Sequence, residues 1–105
     1  MRLTSTEKKA IYNSAITVFG NNSKVFLFGS RVDDRKKGGD IDLYIETDLS
    51  SEDALEKKID FLVDVKTKIG DRKIDLVVRG SDSSPKPVYD IARAEGLEIR
   101  DNNES

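Results

Sequence analysis

The stretch DIDLYIE, residues 40–46, alternates without a break between polar and apolar side chains. Successive residues of a strand point to opposite faces. This period of two therefore sets Ile41, Leu43 and Ile45 on one face and Asp40, Asp42, Tyr44 and Glu46 on the other. The preceding run KVFLF, residues 24–28, is short and almost wholly apolar, which predicts a buried strand. Only the charged, glycine-containing segment 29–39 joins the two. That link is too short for a helical crossover, so the two strands are expected to run antiparallel. The pattern then returns at RKIDLVVR, residues 72–79, where Ile74, Leu76 and Val78 face one way and Asp75 and Val77 the other.

The segments between are helical in period. Thr4 followed by Glu7 fits a capping box, and Ile11, Ala15, Val18 and Phe19 recur at helical spacing, predicting a first helix over Ser5–Phe19 that stops at GNNS. A second amphipathic helix follows, capped by Ser50 or Ser51, acidic in its first turn and stopped at Gly70. Leu55, Ile59, Leu62 and Ile69 are expected to form much of its core stripe. A third helix is expected over Val88–Glu95, ending at Gly96, with a short strand at LEI. The order α-β-β-α-β-α predicts an α+β fold, a small mixed sheet with helices packed mainly on one face. A chain of 105 residues supports one domain, expected over residues 1–99, with 100–105 a frayed tail.

Composition excludes several chemistries. The chain has no cysteine and no histidine, so disulfides, thiolate zinc sites and every histidine-based acid/base scheme are ruled out. Any metal must bind oxygen, which favours Mg²⁺, Mn²⁺ or Ca²⁺. A formal net charge of -2 gives no general attraction to nucleic acid or membrane. The N-terminal residues carry no apolar signal core, and a cytoplasmic location is expected. There is no G-x-x-x-x-G-K-[ST] phosphate loop and no G-x-G-x-x-G fingerprint. An EF-hand reading of DIDLYI fails because Tyr44 and Ile45 occupy positions that need an oxygen ligand and a glycine.

What remains is acidic. Residues i and i+2 of a strand share a face roughly 6.5 Å apart, so Asp40 and Asp42 can converge on a metal ion. Two-metal phosphoryl or nucleotidyl transfer needs a cluster of carboxylates. Asp75 sits opposite Ile74 and Leu76 as Asp42 sits opposite Ile41 and Leu43, so suitable pairing of the two strands would bring it to the same place. The segment before Asp40 supplies the complement. Gly29 allows a close approach of backbone to phosphate, Ser30 offers a hydroxyl and an N–H, and Arg31, Arg35, Lys36 and Lys37 bring positive charge. Each piece alone is ordinary, since D-x-D on a strand is usually a half-solvated face and Gly-Ser is usually a turn. Their order is what carries weight.

That order, FLFGSR, then GGDIDLYIE, then KIDLVV, closely resembles the minimal nucleotidyltransferase (MNT) domains of the DNA polymerase beta superfamily. The likeness covers nearly the whole chain and implies a polymerase beta-like nucleotidyltransferase fold. It implies that Gly29 and Ser30, with Arg31 after them, bind nucleotide phosphate. It implies that Asp40, Asp42 and Asp75 are catalytic carboxylates and ligands of a two-metal Mg²⁺ site, with Asp75 assisting deprotonation of the attacking hydroxyl. Nine residues separate Ser30 from Asp40, one fewer than the common family pattern. The implied reaction moves a nucleoside monophosphate, AMP foremost, from ATP or another NTP to an acceptor hydroxyl, releasing pyrophosphate. MNT domains are often encoded beside HEPN proteins, and the resemblance implies an antitoxin-like role that modifies a helical HEPN-type partner, with neither membrane nor nucleic acid as a stable partner. Little remains beyond the nucleotide-binding core, so the acceptor or a second subunit is expected to complete the site. Two other readings compete: a nucleotide-binding module that neutralises its partner by contact alone, and a transferase acting on a small-molecule acceptor. Tyr12, Tyr44 and Tyr89 could serve a base or partner, or pack at a core edge.

Overall fold

The computed structural model describes residues 3–28 and 41–100. Among these, the chain order is α1 (Ser5–Phe19), β1 (Lys24–Phe28), β2 (Ile41–Glu46), α2 (Ser51–Ile69), β3 (Ile74–Arg79), α3 (Pro87–Glu95) and β4 (Leu97–Ile99). The strands form one mixed sheet in the order β3-β2-β1-β4. β1 runs antiparallel to both β2 and β4. β2 and β3 are parallel, because α2 carries the chain back to the start of the next strand. This is the α+β architecture expected from the sequence. The expected tail lies outside the described residues apart from Arg100.

Local signals set the helix ends. The Thr4 hydroxyl accepts from the Glu7 N–H at 3.0 Å, while the Thr4 N–H donates to Glu7 Oε1 at 2.9 Å, completing the capping box. Arg72 ties the same carboxylate to the far end of α2. Ser50, rather than Ser51, caps α2 by accepting from the Asp53 N–H at 3.1 Å. Gly80 lets the turn after β3 press against the start of α2: a Cβ there would lie 2.7 Å from Ser51 N and 2.9 Å from Leu49 O.

The alternation of the strands divides the core in two. Val25, Leu27, Ile41, Leu43, Ile45, Leu76 and Ile99 face α1 and α2, where they meet Ile11, Ala15, Phe19, Phe61 and Val65. On the other face, Phe26 and Tyr44 meet Tyr89 and Ala92 of α3. Between α1 and α2 the buried Ser14 hydroxyl donates to Asp64 at 2.7 Å and accepts from Lys68 at 3.1 Å.

One expectation about α2 fails. Its buried residues are Ala54, Phe61 and Val65, with Leu62 and Ile69 only partly buried. Leu55 and Ile59 are 68% and 69% exposed. Apolar residues occupy a wide arc of this helix. Period alone cannot say which part of the arc meets the sheet, and the large ring of Phe61 settles the rotation by filling the space beside Phe19, 5.6 Å between centroids.

Candidate functional site

The face of the sheet opposite α1 and α2 is built in three cross-strand rungs. The register aligns Phe28, Asp42 and Asp75 in the first. Phe26, Tyr44 and Val77 form the second, and Lys24, Glu46 and Arg79 the third. Each rung follows from parity. Because Ile41, Leu43 and Ile45 are fully buried against the helices, Asp42, Tyr44 and Glu46 must point the other way.

Asp42 and Asp75 are therefore direct neighbours on adjacent parallel strands, with Cα atoms about 4.8 Å apart, the ordinary strand spacing. Asp42 is 6% exposed, whereas Asp75 is open to solvent. Two carboxylates side by side repel unless a cation lies between or beside them. Both offer only oxygen, the donor set for a hard divalent ion. Asp40, Gly29, Ser30 and Arg31, the other sequence-predicted site residues, lie outside the described residues. No group of three or more acidic, histidine or cysteine side chains placed to hold a metal occurs among the described residues.

α3 crosses this face over the second rung. Tyr89 stacks on Tyr44 at 5.7 Å between centroids, and Phe26 packs against Tyr44 at the same distance. Tyr44 is fully buried and Tyr89 nearly so, which removes both from contact with a base or partner. The sequence could not show this, because the helix that carries Tyr89 and covers Tyr44 lies more than forty residues further along the chain than Tyr44. The third rung fastens α3 down. Tyr44 Oη donates to Glu46 Oε2 at 2.9 Å, and Arg93 donates to both oxygens of Glu46 at 3.0 and 3.1 Å. Burial and the hydrogen bond to the Glu46 carboxylate push the Tyr44 phenol up to about 12. The Arg79 guanidinium lies over the Tyr89 ring at 5.1 Å and that of Arg93 over Phe26 at 5.7 Å.

Sequence reading passed over Glu46, Arg79 and Arg93, since charged residues at strand and helix ends are commonplace. The available signal was the polar end of the same alternation that carries Asp42. Around this third rung opens a cleft of ≈ 370 Å³ lined by Lys24, Glu46, Asp48, Arg79, Gly80 and Arg93 among others. It lies at the opposite end of β2 from Asp42 and mixes both signs of charge. The carboxylate pair, not this cleft, has the donor set for phosphoryl chemistry.

No described helix is long and apolar enough to cross a membrane. A sequence model of the nucleotidyltransferase domain matches residues 10–96, from within α1 to the end of α3. No curated protein matches the chain.

Proposed function

The chain belongs to the nucleotidyltransferase domain family and is a nucleotidyltransferase, and we propose that it moves AMP from ATP to a hydroxyl of a HEPN-type helical partner, in Mg²⁺-dependent fashion, as an antitoxin. The observation that carries this reading is the register that sets the nearly buried Asp42 beside the exposed Asp75 on one face of the sheet. A lone aspartate on a strand has no particular chemistry. Two aligned carboxylates, one nearly buried and one exposed, offer the oxygen donors that a hard divalent ion takes.

Asp42 and Asp75, with Asp40, would hold the divalent ion, which when bound neutralises phosphate charge and polarises the α-phosphate. The chain's own groups do the rest. The exposed Asp75 carboxylate can accept the proton of an incoming hydroxyl. The hydroxyl oxygen then bonds to the α-phosphorus, the bond from that phosphorus to the bridging oxygen breaks, and pyrophosphate leaves. Asp42, fixed by the central strand, holds position while the exposed partner moves its proton. Gly29, Ser30 and Arg31 would take the phosphates through backbone N–H, hydroxyl and guanidinium donors.

The test pairs this chain with the protein encoded beside it. Both are incubated with ATP and Mg²⁺, and the intact mass of each is read against an Asp42→Asn control whose fold is checked by circular dichroism. A nucleotide-sized gain on the neighbour, absent from the control, is the expected result. A stable complex with no mass gain from any of the four triphosphates refutes transfer to this partner and leaves inhibition by contact.

A further inference from the structure

Two surfaces without a neighbouring element among the described residues lie side by side. The first is the outer edge of β3, which among the described residues has a strand neighbour on one side only. Lys73 O and Arg79 O accept from the N–H groups of Ile41 and Thr47. The odd-numbered residues of β3 thus turn their backbone groups to β2, and Ile74, Leu76 and Val78 turn theirs outward. This edge is six residues long, with neither proline nor glycine inside it to blunt pairing. The edge at β4, by contrast, has three residues.

The second surface is the α2 ridge of Leu55, Ile59 and Val63, which are 68%, 69% and 62% exposed. They follow at intervals of four, so they stack along one side of the helix for about 12 Å. Leu55 and Val78 line the same cavity at the rim of the sheet, so the ridge begins above the outer edge of β3.

We propose that these surfaces join two copies of this chain, β3 pairing antiparallel with β3 of the second copy about a twofold axis at Val77. Charge chooses the occupant and the register. Residues directly opposite across antiparallel strands share a face. With Val77 facing itself, Asp75 lies level with Arg79 of the second copy, so unlike rather than like charges fall opposite each other, twice. On the helix face Leu76 lies opposite Val78, also twice, and both turn their backbone groups outward as pairing requires. The registers shifted toward the start of the strand are worse. Centring on Leu76 sets Lys73 opposite Arg79, and centring on Asp75 sets two carboxylates face to face. The α2 ridges run antiparallel above the joined strands, Leu55 and Ile59 of each toward the other. Both apolar surfaces are then covered by one symmetric contact, which is isologous and closed. The result is an eight-stranded sheet with the carboxylate rung of each copy beside the join.

The chain's lack of cysteine gives a direct test. Val77→Cys places two thiols at a position where Cα atoms are about 4.5 Å apart, within disulfide range. The expected result is a covalent dimer on mild oxidation. Sedimentation of the unmodified chain should show a dimer at tens of micromolar, weakened at least tenfold by Ile59→Glu with an unchanged circular dichroism spectrum. A chain that stays monomeric at 200 µM overturns the proposal. So does a dimer in which Val77→Cys fails to link or Ile59→Glu has no effect. Ile59→Glu abolishing capture of a helical neighbour by a monomeric chain would assign the ridge to that neighbour, and also overturns it.

Discussion

Phe61→Ala isolates what holds α2 to the sheet. The ring is fully buried and lies tilted at 41° to Phe19, 5.6 Å between centroids. Truncating a buried phenylalanine removes its transfer energy and leaves a cavity, together about 3–5 kcal/mol, of which the aromatic pair supplies about 0.5–1.5. A domain of this size is stable by about 5–15 kcal/mol in total. The substitution therefore removes at least about a fifth of the stability, and most of it if the domain lies at the low end of that range. With a urea slope of about 1.5 kcal/mol/M, the midpoint falls by about 2–3 M. The chain contains no tryptophan, so ellipticity at 222 nm is the readout. Val63→Ala, two residues on and 62% exposed, is the companion, expected to stay within about 0.5 kcal/mol at a concentration of 1 µM. By sequence the two positions are similarly apolar. Equal losses at both, or a loss under about 1 kcal/mol at Phe61, would refute the assignment of the buried side of this helix.

Two titrations probe the helix ties. Tyr44→Phe removes the hydrogen bond to Glu46 and should cost about 1–3 kcal/mol at pH 7, measured by urea unfolding. Because the folded phenol is raised to about 12 from an ordinary 10.0, the unfolded chain ionises first. Wild-type stability therefore falls as pH rises above 10, and the phenylalanine variant should lose that slope. A variant with an unchanged alkaline slope would contradict the assignment. At the other end of the scale, the Thr4 N–H foremost and then the Arg72 charge hold the Glu7 carboxylate below its ordinary 4.5, against the opposing effect of burial. Its stabilisation is complete above pH 4.5 and fades as acid protonates it in the fold. Glu7→Gln keeps a capping side chain at that position and should lose less stability than wild type between pH 6 and pH 3. Parallel pH curves for the two proteins would show that the charge contributes nothing.

The sequence alone determined the elements and the parity of their faces. The capping pair Thr4 and Glu7, the run KVFLF and the alternation of IDLYIE are local signals, and each sets its element without help from distant residues. Parity also placed Asp42 and Asp75 opposite their apolar neighbours, and the short link before Asp40 fixed β1 and β2 as antiparallel. Tertiary structure decided what parity leaves free. A strand pattern repeats every two residues, so many registers satisfy it, and only the return of α2 to the sheet sets Asp42 level with Asp75 rather than a rung away. The apolar arc of α2 was equally ambiguous until Phe61 found its place against Phe19, leaving Leu55 and Ile59 outside. Tyr44 looked available until α3 closed over it, a contact between segments distant in the chain that no local period encodes. Local periods are set by backbone geometry, whereas register, helix rotation and layer order are set by which large side chains share a volume. That choice is made only when the whole chain packs.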